Sequence, residues 1–228
     1  MKKPAKKFSQ TALCLILIAV SVVIIAVNSG AAETKETPDA FVLSDVTSSP
    51  YKNEILSLIN DGTLPVFISD GKAYFYPSLG VTREYIAAAV AKAGGLGKAS
   101  ASQTTKFSDS GDISEENAAY VASAVSHGLV PVYSSEAGGS GELSFYPGRN
   151  VSRSDAAYIF SKMIASVSSS TEARNIADAE MIPKDSYISV ISAVSLGIMN
   201  TYGDGTFRPN ETITREELAA ALYKIKHL

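Results

Sequence analysis

Apolar and polar positions along this 228-residue chain fall into one pattern that occurs three times. The alanine-rich stretches IAAAVAKA (86–93), AAYIFSKMI (156–164) and LAAALYKI (218–225) combine good helix formers with small faces for close packing. Each is entered through a hydroxyl residue, Thr82, Ser152 or Thr214, followed by an arginine. Such a hydroxyl accepts a bond from a backbone N–H one turn inward, so these three are predicted helix N-caps. Thr214 with Glu217 completes an S/T-x-x-E capping box; Ser152 with Asp155 approximates it, and Tyr85 interrupts it in the first copy. An earlier helix is predicted in each copy. It ends at a glycine, Gly62 in LINDGTL, Gly128 in AVSHGLV or Gly197 in AVSLGIM, which suits the left-handed residue that closes a helix.

The three copies align through their turns. FYPSLGVTREYIAAAV (75–90), FYPGRNVSRSDAAYIF (145–160) and FRPNETITREELAAAL (207–222) each place the arginine six residues after the proline. Asp45, Asp109 and Asp178 open the units, at 17, 19 and 19 residues before the glycine stop. The glycine-to-phenylalanine separations are 13, 17 and 10, so length variation is confined to a loop, where it is tolerated. Pro77, Pro147 and Pro209 are expected to hold the approach to the second helix extended. One unit of about 55 residues buries little apolar surface alone, but three can share a core.

The N-terminus departs from this pattern. Lys2, Lys3, Lys6 and Lys7 precede a 16-residue apolar run, Ala12 to Val27, and then the small residues NSGAA. That is the layout of a secretory signal peptide over residues 1–32, followed by a short linker, 33–40. The run is short of the ~20 residues that span a bilayer, and an uncleaved membrane anchor is the alternative. Removing residues 1–32 takes away four Lys and no acid, leaving 16 basic and 23 acidic residues, a net charge of −7. That balance disfavours nucleic acid and anionic lipid as partners. The single Cys14 lies inside the apolar run, so the exported part has no thiol chemistry. Two histidines, His127 and His227, make no metal cluster, and neither a metal nor a cofactor is expected.

With these residues assembled, the chain resembles three tandem S-layer homology (SLH) repeats, at 41–99, 102–166 and 174–228. GIMNTYGDGTFRPNETITREELAAAL (197–222) is the copy most similar to the family signature. The resemblance implies a mainly α fold: two-helix repeats in a pseudo-threefold assembly around a central helix bundle, with long loops. It also implies an exported protein of the cell wall or S-layer. Such a protein binds secondary cell-wall polysaccharide, commonly pyruvylated, in grooves between repeats, alone or with an envelope protein partner. Lattice formation, or peptidoglycan binding by a membrane-anchored form, is the alternative reading.

The expected glycan-binding residues are Arg83, Arg153 and Arg215, Asp45, Asp109 and Asp178, and Tyr202, Gly203 and Asp204 of the GYGDGTF-like loop. Each arginine falls at the first helical position. There it is expected to lie beside free backbone N–H groups and to offer a two-pronged donor to a ketal carboxylate. The competing reading makes the arginine a brace between units and the aspartate a cap on the first helix. With no Trp in the chain, stacking on sugar falls to Tyr or Phe, such as Tyr202, Tyr74 or Tyr133. The enlarged loop and the sequence SRSD make unit two the weakest expected site. Catalysis ranks last, and no catalytic residue is expected: Glu216, Glu217 and Asp204 are the only carboxylates in reach, without a nucleophile–base set.

Overall fold

In a computed structural model, residues 43–100, 107–134, 142–164 and 175–228 are described. The predicted signal segment and linker lie outside them. Six α-helices are found among the described residues: α1 Lys52–Asn60, α2 Arg83–Ala93, α3 Glu115–Ser126, α4 Arg153–Met163, α5 Tyr187–Ser195 and α6 Arg215–Lys226. The second helices α2, α4 and α6 begin at the three arginines. Thr82, Ser152 and Thr214 accept from the backbone N–H of Tyr85, Asp155 and Glu217, and the capping box at Thr214 is complete. Gly62, Gly128 and Gly197 stand just beyond α1, α3 and α5 with φ of 78°, 70° and 66°, the left-handed closure that a Cβ would strain.

The loops hold structure that the helix-only pattern did not predict. Antiparallel hairpins form from β1 Phe67–Ser69 with β2 Lys72–Tyr74, and from β3 Tyr133–Ser134 with β4 Leu143–Ser144. The approach to the second helix also differs from expectation. Tyr76, Tyr146 and Arg208, the middle residues of the Phe-x-Pro turns, have φ of 56°, 55° and 57°, left-handed rather than extended. The turn instead tucks its phenylalanine inward: Phe75, Phe145 and Phe207 are fully buried, worth about 1.5–3 kcal/mol each in apolar burial.

The units interlock. Each second helix packs against the first helix of another unit: α2 on α3, α4 on α5, and α6 back on α1. Helix α6 also lies against both α2 and α4. Just before the N-caps, three buried aliphatics close a cycle of backbone bonds. Val81 N–H donates to Ile213 O, Ile213 N–H to Val151 O, and Val151 N–H to Val81 O, at 3.0, 3.0 and 2.9 Å.

Candidate functional site

The glycan-site expectation placed each arginine beside unsatisfied N–H groups at a helix start. Those groups have partners. Arg83, Arg153 and Arg215 N–H donate to Arg149 O, Glu211 O and Leu79 O, and the next residues in each helix donate to Pro147 O, Pro209 O and Pro77 O. The orphan donors of each second helix therefore dock the Phe-x-Pro loop of a neighbouring unit. They form interface, not an open anion hole.

The arginine side chains are almost wholly buried, at 5%, 2% and 3% exposure for Arg83, Arg153 and Arg215. Arg83 Nε donates to Phe145 O at 2.7 Å and Nη2 to Pro131 O at 2.6 Å; its guanidinium stands over the rings of Phe145 and Tyr133. Arg153 repeats this geometry one unit on. Its Nε donates to Phe207 O at 2.7 Å and Nη2 to Asn200 O at 2.8 Å, between the rings of Tyr202 and Phe207. Its remaining Nη1 meets Glu217 Oε1 at 2.5 Å. Arg215 differs: its buried Nε and Nη2 have no hydrogen-bond partner among the described residues. It sits over Phe67, Phe75 and Tyr85, and the buried Tyr85 hydroxyl close by likewise has no hydrogen-bond partner of good geometry among the described residues. Burial pulls Arg83 and Arg215 below the usual guanidinium range, and it pushes the Tyr85 hydroxyl up to about 12.

The three aspartates do something sequence reasoning missed. Asp45 accepts from the N–H groups of Phe75 and Tyr76, Asp109 from Phe145 and Tyr146, and Asp178 from Phe207 and Arg208, at 2.6–3.1 Å. Neither Asp109 nor Asp178 caps the short 3-10 turn that follows it. Each carboxylate instead clamps the left-handed turn of its own unit, satisfying two N–H groups that the turn removes from regular pairing. The recurring Asp ahead of a Phe-x-Pro was the available signal. The glutamates after arginine were also missed. Glu84 accepts from Ser114 and Asn117 at the start of α3, and Glu216 accepts from Ser49 just ahead of α1, at 2.6 Å. Ser154 replaces that glutamate in unit two and donates to Pro209 O at 3.0 Å. The missing glutamate therefore alters an interface bond.

The loop at 202–208 is tied internally. Tyr202 OH donates to Glu217 Oε1 at 2.9 Å, and the guanidiniums of Arg153 and Arg208 stand 4.8 and 4.0 Å from its ring centre. Asp204 is exposed and accepts from Thr206 and Arg208; the Thr206 bonds lead in holding its carboxyl down at about 2. Gly203 is exposed at the turn between them. A cavity of about 80 Å³ is lined by Arg153, Asn200, Tyr202, Glu217 and Tyr51. A larger one, about 310 Å³, is lined by Tyr133, Ser134, Tyr146 and Arg149. It borders Arg83: Arg83 and Arg149 stand 4.9 and 6.0 Å from the Tyr133 ring centre, which is 6.1 Å from that of Tyr146. Of this cavity's lining the sequence reading singled out Tyr133 but not Ser134, Tyr146 or Arg149.

Comparison with known proteins adds the family. Residues 106–157 and 175–219 match the sequence model of the S-layer homology domain. These two segments, a little under half of the chain, carry the similarity to the S-layer homology domain. The chain is 33% identical over 84 residues to "Cell surface glycoprotein 1" of Acetivibrio thermocellus, covering 35% of this chain and 4% of that protein. It is 33% identical over 102 residues to a "Cellulosome-anchoring protein" of the same organism, covering 39% of this chain and 23% of that protein. The chain thus spans under a quarter of either relative. No cluster of His, Cys, Asp and Glu able to hold a metal is present among the described residues, and no helix there is long and apolar enough to cross a membrane.

Proposed function

We propose that this protein is an exported, non-catalytic anchor of the cell envelope that binds an anionic secondary cell-wall polysaccharide, pyruvylated, in grooves between SLH repeats. Two named relatives, a cell surface glycoprotein and a cellulosome-anchoring protein, support the envelope role. Residues 41–99 act as the first repeat beside 102–166 and 174–228; the cyclic bonds of Val81, Val151 and Ile213 support a pseudo-threefold assembly of all three. Arg83, Arg153 and Arg215 wall the grooves, and Asp45, Asp109 and Asp178 hold the Phe-x-Pro turns that shape them. Tyr202, Gly203 and Asp204 form the rim of the groove at Arg153.

One observation carries the glycan reading: the 310 Å³ cavity lined by Tyr133, Tyr146 and Arg149, whose Tyr133 ring also lies against Arg83. Tyrosine rings offer stacking faces for a sugar, and a guanidinium offers a two-pronged donor to its carboxylate. This combination suits an acidic sugar better than a neutral one, despite the protein's overall negative charge. The test is co-sedimentation with purified cell-wall sacculi. Chemical removal of the wall polysaccharide, or of its ketal groups, should release the protein, and Arg149→Ala should weaken binding about tenfold, one charge-assisted hydrogen bond's worth. Undiminished binding to stripped sacculi would transfer the function to peptidoglycan.

A further inference from the structure

We propose that the third residue of each second helix decides whether the adjoining groove accepts an anion, and that Glu217 keeps the groove at Arg153 closed to one. The inference rests on the anionic-glycan reading above. The three residues are Tyr85 in α2, Asp155 in α4 and Glu217 in α6, and each belongs to the groove of an arginine from another unit. Tyr85 stands 4.5 Å under the guanidinium of Arg215, Asp155 faces Arg83 together with Asp109 and neither bonds to it among the described residues, and Glu217 pairs directly with Arg153.

Glu217 is fully committed. Its Oε1 holds Arg153 Nη1 and accepts from Tyr202 OH, and its Oε2 accepts from Thr214 N–H at 2.9 Å and Thr214 Oγ1 at 3.1 Å. Arg153 in turn has all three of its nitrogens occupied. Glu217 thus occupies, from within the chain, the position a ligand carboxylate would take. As part of the chain it is present at high effective concentration, and an incoming anion must displace it and leave it near the ligand's own charge. The other two grooves lack that occupant. Asp155 is one methylene shorter and exposed, and Arg149 adds a second cation nearby. At Arg215 the third-position neighbour carries no charge, Asp45 attracts the guanidinium without bonding to it, and Nε and Nη2 have no hydrogen-bond partner among the described residues. The third helical position is therefore where the three grooves differ in charge, while an aspartate of the turn clamp stands near Arg83 and Arg215 alike.

The experiment uses the methyl glycoside of a 4,6-pyruvate-ketal hexosamine, followed through the protein's backbone amide resonances. In the wild-type protein the sugar should shift the amides of Tyr133 and Tyr146 and leave those of Asn200, Tyr202 and Gly203 unmoved. Glu217→Gln keeps an acceptor for the Thr214 N–H, so the cap survives. It should bring the second set of amides into the titration with at least a tenfold gain in affinity there. The reciprocal change, Asp155→Glu, lengthens the carboxylate toward Arg83 and should weaken binding at Tyr133 about tenfold. The ketal-free glycoside should show neither effect. Wild-type titration at Tyr202, or no gain in Glu217→Gln while Tyr133 still responds, overturns this inference alone. Silence at all amides in every variant overturns the glycan reading and this inference with it.

Discussion

Arg153 and Arg215 occupy the same position in the same motif, yet their surroundings are opposite. Arg153 gives every nitrogen to a carbonyl or carboxylate of the neighbouring unit, whereas Arg215 leaves Nε and Nη2 buried and unbonded among three rings. What an arginine does at a helix start is thus decided by the loop and the third-position residue that another unit brings to it. The motif alone specifies burial; the neighbour specifies whether the charge is satisfied.

The largest expected effect is on stability. Arg153→Met should cost about 3–5 kcal/mol, because it strands a partly buried carboxylate and two carbonyls. Arg215→Met should fall within about 1 kcal/mol of wild type, or stabilise, since it removes orphan donors from an aromatic pocket. Urea unfolding of the two variants checks this, and equal losses would erase the contrast. Next in size, Asp178→Ala and Asp45→Ala should each cost about 2–3 kcal/mol, by leaving two N–H groups unpaired. Their near-equality in the same assay would show that the clamps, unlike the arginines, are equivalent. Tyr202→Phe should cost about 1 kcal/mol through the lost bond to Glu217, and Tyr133→Phe distinctly less.

The smallest effect lies at the seam between α6 and α1. Lys226 Nζ reaches Asp61 Oδ2 at 2.6 Å and Thr63 Oγ1 at 3.2 Å. Burial works against the Asp61 carboxylate, but the Lys226 and Thr63 bonds prevail and lower its pKa from 3.8. A depressed carboxylate stabilises the fold fully above its unfolded value and stops doing so as pH falls through the folded one. Lys226→Met should therefore cost about 0.2–1 kcal/mol at neutral pH, and the gap should close as pH falls below 3.8 and through the folded carboxylate's lower pKa. A gap that is constant with pH would place the effect in lysine packing instead.

What the chain discloses locally, the structure repeats. Thr82, Ser152 and Thr214 cap helices that start at the arginines, and the glycines at 62, 128 and 197 end helices, because caps and left-handed stops are decided by residues one turn apart. The hairpins in the loops escaped notice because two- and three-residue strands carry too few alternations to register. The use of the helix N–H groups, the reach of Glu84 to Ser114 and the pairing of Glu217 with Arg153 depend on partners 30 to 139 residues away. Spacing within one motif contains no trace of them. Asp109 and its counterparts were legible as a recurring residue but not as a clamp, since the left-handed turn they hold is one that Tyr76, Tyr146 and Arg208 do not favour alone.

The ring of bonds through Val81, Ile213 and Val151 has a consequence for how such a chain can change in number of units. Stacked repeat proteins expose an edge at each end, so copies can be added or lost with little penalty. Here each central aliphatic both donates and accepts within the ring, and the last helix rests on the first. Removing any one of the three segments therefore breaks two of the three bonds. A change in the number of such segments is thus felt at once by those that remain, unlike in an open stack.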